Sequence, residues 1–430
     1  MTKTLFGGLT RRSVLKTTAT AAMVGAARTL LPSGAFAQGA GPETAKATLG
    51  FIALTDSAPL IIAKEKGLFD KYGMTEVEVV KQASWGTTRD NLVLGSAGAG
   101  IDGAHILTPM PYLISTGKVT QNNQPLPMAI LARLNLDAQA ISVGAAYADL
   151  KVGIDASVLK DAFAKKKAGG EAAKVAMTFP GGTHDLWIRY WLAAAGIDPD
   201  KDVETIVVPP PQMVANMKVG TMDCFCVGEP WNEQLVNQKI GYTAVNTAEI
   251  WAEHPEKSFA MRADWVEKNP RAVKALVMAI EEAAQWCDDM ANKDELAKIV
   301  GKRSWLNVPP KDIVDRLKGE YDYGNGKIVE NSPHFMKFWR EHASYPFQSH
   351  DAWFLTENIR WGKLASDTDI KGLIAKVNRE DIWREAAKDL GISDIPASTS
   401  RGPETFFDGK VFDPANPETY LKSLAISRIA

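Results

Sequence analysis

The residues whose types and spacing favour chemistry lie within residues 178–191, which read TFPGGTHDLWIRYW. An apolar run ends at Pro180-Gly181-Gly182 and apolar residues at helical spacing follow, so a strand, a glycine-rich turn and a helix are predicted. The first turn of a helix offers free backbone N–H groups and the positive end of its dipole, which together favour an anion. His184 lies at this turn and can add a donor or a positive charge. An ordinary strand–helix turn with a solvated histidine accounts for the same residues, and both interpretations stay open on this stretch alone.

The elements around this stretch follow an α/β pattern. Strand-like runs at residues 47–54, 77–80 and 102–107 each precede a helical pattern, with Asp56 or Ser57 as the cap of the first helix. This alternation predicts a parallel sheet covered by helices. Two further strands, at residues 128–134 and 138–144, leave the first block, and the alternation begins again at Val175. We therefore predict the α/β class with two similar lobes rather than one continuous sheet.

The chain of 430 residues is long enough for two lobes. Its 45% hydrophobic and 23% charged residues are typical of a globular protein. The 49 basic and 51 acidic residues give no basic excess, so nucleic acid is not an expected partner. The C-terminal region is rich in tryptophan, and we expect these side chains to pack it onto the first lobe: Trp339, Trp353, Trp361 and Trp383.

The first 37 residues differ from the rest in having five basic residues and no acidic one. Arg11-Arg12 lies in a run that has the form of the bacterial twin-arginine export signal. An Ala- and Thr-rich segment and Ala35-Phe36-Ala37 follow, which predicts cleavage after Ala37. Arg28 makes this segment a poor membrane span. The expected location is the periplasm, without a lipid anchor because no cysteine lies near the cleavage site; a disordered N-terminal arm is the alternative.

Three cysteines are too few, and odd in number, for a disulfide framework. Cys224 and Cys226 alternate in a predicted strand, so we expect both to be buried thiols, and Cys287 stands apart. The chain has no residue set with the spacing of a zinc site. It also has no G-x-S-x-G motif and no convincing Ser/His/Asp or Cys/His constellation. The prediction is a protein without metal or cofactor that is not an enzyme.

Several motifs resemble a known family. Residues 51–69 resemble the opening of solute-binding proteins of ABC transporters. The resemblance narrows to nitrate/nitrite- and bicarbonate-binding proteins through residues 83–91 (ASWGTTRDN), 102–105 (DGAH), 181–184 (GGTH), 228–231 (GEPW) and 254–257 (HPEK). It extends from about residue 46 to the C-terminus, and the motifs are specific only in combination.

This resemblance implies a two-lobed periplasmic binding fold of type II with the ligand between the lobes. The corresponding division is a signal peptide at 1–37, the first part of lobe 1 at 38–145, lobe 2 at 146–246, and the second part of lobe 1 with a C-terminal extension at 247–430. The family pattern implies that the ligand is contacted by Trp85, Gln139, His184, Gly228 and Lys257, with Pro210 and Val227 as apolar walls.

Nitrate suits this set of donors, because it is a planar monovalent anion that accepts hydrogen bonds and donates none. Lys257 offers three donors and a positive charge, and Trp85 offers its indole N–H. His184 and Gln139 add ring and amide N–H groups, and glycine at position 228 lets the backbone N–H approach closely. The expected ligand is therefore nitrate, and also nitrite.

The choice between nitrate and bicarbonate depends on Lys257. The bicarbonate-binding relatives place a carboxylate at this position, where it helps to bind calcium. Calcium needs oxygen ligands, and a lysine would repel it. Glu256 is adjacent, but in a regular strand its side chain is expected on the opposite face. Nitrate or nitrite without a metal is therefore favoured over calcium-dependent bicarbonate binding.

A nitrate-sensing regulatory protein in the cytoplasm is the alternative of another class, since the family includes such members. The export signal at Arg11-Arg12 argues against it. The expected partners are the membrane permease and the ATPase of an ABC transporter, and the expected state is a monomer.

Overall fold

The computed structural model describes residues 41–429. The predicted signal peptide, including Arg11, Arg12 and the cleavage site after Ala37, lies outside the described residues. Among the helices of the described part, none has both the length and the apolar content that crossing a membrane requires.

The strands form two five-stranded sheets and two short hairpins. In chain order they are β1 Lys46–Phe51, β2 Glu76–Lys81, β3 Gly103–Leu107, β4 Met128–Leu136, β5 Gln139–Gly144, β6 Ala173–Met177, β7 Val203–Val207, β8 Cys224–Gly228, β9 Gly241–Asn246, β10 Pro255–Arg262, β11 Tyr321–Asp322, β12 Ile328–Val329, β13 Glu404–Thr405 and β14 Val411–Phe412. The strands predicted from apolar runs are all present, with ends that differ by a few residues.

The helices cover these sheets. They are α1 Ala58–Glu65, α2 Leu68–Lys71, α3 Trp85–Leu94, α4 Met110–Ser115, α5 Lys160–Ala168, α6 Thr183–Ala194, α7 Met213–Lys218, α8 Trp231–Asn237, α9 Thr247–Ile250, α10 Ala263–Lys268, α11 Pro270–Asp288, α12 Lys293–Val300, α13 Val314–Lys318, α14 Gln348–Arg360, α15 Ile370–Val377, α16 Glu380–Asp389 and α17 Pro417–Lys422.

The two large sheets have the same strand plan. Sheet A has the order β2-β1-β3-β10-β4, and sheet B has the order β7-β6-β8-β5-β9. In each sheet the first three strands pair in parallel, while the fourth pairs antiparallel to both of its neighbours. Four of the five strands in each sheet therefore run in one direction, as the mainly parallel α/β prediction requires.

Each sheet takes its fourth strand from the other part of the chain. The chain leaves sheet A after β4, turns through Asp137 and Ala138, and enters sheet B as β5. It returns after β9 through residues 247–254 and enters sheet A as β10. Strand β5 thus belongs to sheet B by its pairing, although it precedes the predicted lobe boundary at residue 145. The two crossings thus connect two separate sheets, one for each lobe.

Helix α11 illustrates how the core of the first lobe forms. Its apolar residues recur at helical spacing, and Val273, Leu276, Val277 and Ile280 are all buried. It packs against α1 and α16. Burying each of these side chains contributes about 1.5–3 kcal/mol.

The tryptophans of the C-terminal region contact both lobes. Trp383 lies on α16 and packs against Tyr345, and α16 contacts β4 of sheet A. In contrast, the ring of Trp353 stacks on Trp187 of α6 at 5.0 Å between centroids, and Trp361 lies over the guanidinium of Arg189, also on α6. The expectation that all four pack onto the first lobe is therefore wrong for Trp353 and Trp361, because Trp187 and Arg189 of α6 give them an aromatic and a cationic partner.

Candidate functional site

The stretch at residues 178–191 forms the predicted strand, turn and helix. Strand β6 ends at Met177, Gly181 adopts a positive φ of 74°, and α6 begins at Thr183. A Cβ at Gly182 would lie 2.6 Å from Leu107 Cδ1, so this turn needs a glycine to approach sheet A. The helix start is thereby held at the border between the two lobes.

An anion does lie at the start of α6, and it is the carboxylate of Glu256. The hydroxyl of Thr183 donates to Glu256 Oε1, and the indole N–H of Trp187 donates to Glu256 Oε2 at 2.8 Å. Since Glu256 is on β10 of sheet A, these bonds join the two lobes. These donors are side chains of α6, so binding of an anion by the backbone N–H groups of the helix start stays a prediction.

The prediction that Glu256 faces away from Lys257 is wrong. The pairing of β10 with β4 shifts register on both sides of Lys257, which interrupts the alternation of side chains. Both side chains consequently turn to the same cluster, and Lys257 Nζ lies 2.9 Å from Glu256 Oε1. One of the two arguments against a metal at this place, the orientation of Glu256, is therefore invalid. The other argument, the positive charge of Lys257, remains.

Lys257 lies at the centre of a fully buried polar cluster. Its Nζ also lies 2.9 Å from Asp56 Oδ2, and 3.5 Å from both Gln139 Oε1 and His184 Nε2. Burial acts to lower the pKa of Lys257, but Asp56 and Glu256 outweigh it and raise the pKa above its ordinary value. The lysine is therefore a fixed positive charge at every physiological pH.

Asp56 is the second carboxylate of the cluster. It accepts from His105 Nε2 at 2.6 Å and from Gln139 Nε2 at 3.2 Å. Burial acts to raise its pKa, but Lys257 and His105 outweigh it and hold the pKa well below the usual range. Asp56 therefore stays ionised.

His184 is held from both sides in its neutral form. Its Nδ1 lies 2.6 Å from Thr178 Oγ1 and its Nε2 lies 2.8 Å from Gln139 Oε1. Burial, followed by the charge of Lys257, lowers the pKa of His184 well below its ordinary value. With the Thr178 hydroxyl donating to Nδ1, the proton is on Nε2, so His184 contributes a donor and no charge.

The indole N–H of Trp85 has no hydrogen-bond partner within residues 41–429, although the side chain is fully buried. Trp85 is the first residue of α3, whose start is capped by the Ser84 hydroxyl accepting from Thr87 N at 3.1 Å. Its ring lies 5.9 Å from Lys257 Nζ and 5.4 Å from the His105 ring. A buried donor without an acceptor costs about 1–3 kcal/mol, so an acceptor supplied by a ligand would recover this energy.

Gly228 completes the set. It pairs with Gln139 across β8 and β5, and a Cβ at this position would lie 2.5 Å from Gln139 Oε1 and 3.2 Å from Asp56 Oδ2. The structure therefore brings together the five predicted residues Trp85, Gln139, His184, Gly228 and Lys257. Pro210 and Val227 are both buried, and their role as apolar walls stays a prediction.

Sequence reasoning missed Asp56, Glu256, His105 and Thr183 as members of the cluster. The sequence pattern predicts Asp56 or Ser57 as a helix cap, and it predicts Glu256 on the opposite face of the strand. The signal that could have found them is the high density of polar residues in otherwise apolar strands and turns. In the described chain, no group of three or more His, Cys, Asp and Glu side chains has a geometry suited to a metal ion.

Two α/β lobes that exchange strands and share a buried polar cluster define a two-lobed solute-binding protein. Similar proteins agree with this class. Residues 40–301 match the NMT1-like family. The nitrate/nitrite binding protein NrtA of Synechocystis sp. is 63% identical over 391 residues, which cover 90% of this chain and 86% of that protein.

A solved structure and a second relative extend the comparison. The crystal structure of the periplasmic nitrate-binding protein NrtA from Synechocystis matches with a TM-score of 0.88 and 62% identity, over 90% of this chain and 100% of that chain. The bicarbonate-binding protein CmpA of Synechococcus elongatus is 44% identical over 391 residues, 88% of this chain and 86% of that protein. The chain belongs to the NMT1-like family. The identity to the nitrate/nitrite binding protein and to its crystal structure confirms the predicted resemblance to nitrate/nitrite-binding proteins.

Proposed function

We propose that this chain captures nitrate between its two lobes. The observation that carries the proposal is the unpaired indole N–H of Trp85 beside the buried ammonium of Lys257. A planar anion that only accepts hydrogen bonds can accept one from the first and a charge-assisted one from the second. The greater identity to the nitrate/nitrite binding protein than to the bicarbonate-binding protein supports the same ligand.

The donors come from both lobes, which couples binding to lobe closure. Trp85 and Lys257 belong to the elements of sheet A, whereas Gln139, His184 and Gly228 belong to those of sheet B. We propose that the lobes divide at the two crossings, residues 137–138 and 247–254. An anion in contact with donors on both sides favours the closed arrangement, because each lobe alone offers an incomplete set of hydrogen bonds.

Nitrite as a second ligand, a monomeric state, and delivery of the anion to the permease and ATPase of an ABC transporter are part of this proposal. A binding role rather than a catalytic one fits the thiols, since burial raises the pKa of Cys226 well above its ordinary value and leaves it protonated. Cys224 and Cys287 are likewise buried and free.

Titration calorimetry of the chain with nitrate, nitrite and bicarbonate, each with and without calcium, tests the ligand. We expect nitrate and nitrite to bind without added metal, and bicarbonate to bind more weakly. The presence of two carboxylates, Asp56 and Glu256, makes the calcium arms necessary. A strict calcium requirement, or binding of bicarbonate alone, would contradict the proposal and favour the bicarbonate function.

Export by the twin-arginine route is proposed from the N-terminal sequence. A reporter fused after Ala37 should appear in the periplasm. Replacement of Arg11 and Arg12 by lysine should retain the reporter in the cytoplasm. Export of the doubly substituted reporter at the normal level would show that another route is used.

A further inference from the structure

The polar cluster contains more negative than positive charge before any ligand arrives. Two carboxyl groups, Asp56 and Glu256, and one ammonium, Lys257, are fully buried in it, and Lys257 Nζ lies 2.9 Å from each carboxyl group. A monovalent anion would add a further negative charge to a site that already has one in excess. Burying an uncompensated charge costs several kcal/mol, so neutralising one carboxylate lowers the free energy of the bound state.

Glu256 is the carboxylate suited to accept a proton. Asp56 is held in its ionised form by Lys257 and His105, as described above. For Glu256, burial is the largest influence and raises its pKa above the ordinary value, although Lys257, Thr183 and Trp187 act to lower it. The charge of an added anion nearby would raise the pKa of Glu256 further.

The groups facing Glu256 determine which of its oxygens can carry the proton. At Oε2 the neighbour is the indole N–H of Trp187, which can only donate. At Oε1 the neighbours are Lys257 Nζ and the hydroxyl of Thr183, which can accept as well as donate. A proton on Oε1 can therefore be donated to Thr183 Oγ1, and the contact with Lys257 is released.

The other titratable groups near Glu256 do not compete for this proton. His184 Nε2 on α6 lies 3.5 Å from Oε1, and His254 Nδ1, just before β10, lies 3.8 Å from Oε2. Burial lowers the pKa of His254 to about 3 and that of His184 well below its ordinary value, so both stay neutral. Cys226 on β8 is already protonated.

We propose that an anion binds to this cluster together with one proton, which Glu256 takes from solvent at Oε1. The Glu256 O–H then donates to Thr183 Oγ1. The Lys257 N–H that had donated to Glu256 Oε1 turns and donates to the anion. No bond to the anion is made or broken. This coupling rests on the proposed function and specifies the protonation that accompanies it.

The affinity for nitrate should therefore fall as pH rises. At low pH Glu256 already holds the proton, so affinity is independent of pH. Above the pKa of Glu256 in the free protein, each bound anion must also draw a proton from solution. The dissociation constant then rises by up to about tenfold per pH unit, until the pKa of Glu256 in the complex is passed.

Titration calorimetry of the chain with sodium nitrate between pH 5 and 8, in pairs of buffers that differ in ionisation enthalpy, measures this proton directly. We expect uptake of up to about one proton per nitrate in the range where the dissociation constant rises. Nitrate binding with a constant affinity and no proton uptake overturns the coupling and leaves the proposed function intact. Absence of nitrate binding at every pH overturns both.

Two substitutions assign the proton. In Glu256→Gln the amide N–H₂ can donate to Thr183 while its oxygen accepts from Trp187, as in the protonated acid; affinity should become independent of pH, without proton uptake. Asp137→Asn is the control, because burial raises the pKa of Asp137 to about 7 and it would otherwise titrate in the same range. This variant should keep the pH dependence. Persistence of the dependence in Glu256→Gln, or its loss in Asp137→Asn, overturns the assignment.

An infrared difference spectrum covers the case in which Glu256→Gln does not fold. Addition of nitrate to the unsubstituted chain should produce the C=O stretch of a newly protonated carboxylic acid and remove the corresponding carboxylate bands. A spectrum without a new carboxylic-acid band, at a pH where nitrate binds, contradicts protonation of Glu256.

Discussion

Trp85 combines deep burial with an indole N–H that has no partner in the described part of the chain. Its contribution to binding can therefore be separated from its contribution to stability. Phenylalanine at this position removes the N–H with part of the ring, so the ligand-free protein loses packing but no hydrogen bond.

Trp85→Phe should lower the nitrate affinity about 10- to 150-fold, the value of a hydrogen bond to a charged group. The unfolding free energy should fall by about 1–2 kcal/mol, since the smaller ring leaves a cavity but no unpaired polar group. Calorimetry and urea unfolding measure the two quantities. Trp187→Phe is the matched control, because it removes the donor to Glu256 and should destabilise the protein by about 1–3 kcal/mol. Unchanged affinity in Trp85→Phe would exclude Trp85 from the ligand contacts.

Lys257→Glu should abolish nitrate binding and destabilise the protein. It removes the only ammonium in contact with Asp56 and Glu256 among the described residues and adds a third carboxylate, and breaking a buried ion pair costs about 3–5 kcal/mol. Three clustered carboxylates are the ligand type that calcium prefers. Calcium should therefore raise the melting temperature of this variant, with magnesium as the control ion. Normal nitrate binding by Lys257→Glu would show that the residue is not in the site.

At the scale of residues, the sequence was sufficient to select five residues that the structure brings together, and insufficient for their neighbours; their contact with a ligand stays a prediction. Gln139 and Lys257 could be identified because their motifs resemble those of a known family. Glu256 could not, since its orientation depends on the irregular pairing of β10 with β4, which no local pattern records. Asp56 could not be identified for a similar reason. A helix cap is a local feature, whereas the contact of Asp56 with Lys257 joins distant segments.

The two crossings between the sheets are linked to each other. Asp137, in the first crossing, donates its backbone N–H to His254 O at 3.0 Å, and its Oδ1 accepts from His254 N at 3.1 Å. His254 ends the second crossing. This reciprocal pair fixes the two crossings relative to each other, and Lys337 Nζ approaches Asp137 Oδ2 at 3.7 Å.

Asp137→Asn should change how stability depends on pH. Burial raises the pKa of Asp137 to about 7, whereas an unfolded aspartate has a pKa of about 3.9. The folded state holds the proton more tightly, so this contribution to stability is complete below about pH 4 and is lost as pH rises to about 7. The unsubstituted chain should thus lose on the order of 2–4 kcal/mol over this range relative to Asp137→Asn, which keeps the Oδ1 acceptor.

Urea unfolding of both proteins at intervals from pH 4 to 8 checks this difference. Asp149→Asn serves as control, because Asp149 is exposed and its replacement should leave the pH dependence unchanged. If Asp137→Asn shows the same pH dependence as the unsubstituted chain, Asp137 is already ionised in the fold and its burial is compensated by Lys337.

At the scale of elements, the periodicity of apolar residues was enough to locate the strands and helices. It could not assign the strands to sheets, because it is a local pattern and strand pairing is not. Strand β5 follows β4 with two residues between them, so proximity along the chain favours one sheet, yet β5 pairs with β8 and β9. Such partners lie tens of residues away. The same limit applies to Trp353, whose stacking on Trp187 spans more than a hundred residues.

For the whole molecule, the exchange of strands makes each lobe depend on the other part of the chain. Residues 42–246 contain all of sheet B but only four strands of sheet A, and the missing β10 is the one that lies between β3 and β4. Without it these two strands have no pairing with each other, and their backbone groups remain unsatisfied.

A chain truncated after residue 246 should therefore fail to form sheet A. Hydrogen exchange should show the amides of β3 and β4 unprotected, and its circular dichroism signal should lack part of the native content. The chain of residues 42–429, measured in parallel, should unfold cooperatively with both strands protected. Protection of β3 and β4 in the truncated chain would mean that sheet A can close without β10.

The position of β10 also bears on the order of events during synthesis. Strand β4 leaves the ribosome more than a hundred residues before the strand that joins it to β3. At about 5–20 residues per second, the edges of β3 and β4 stay open for on the order of ten seconds. During that interval an apolar, unpaired pair of edges is exposed to other chains, so the growing polypeptide is most prone to aggregate just before its last shared strand emerges.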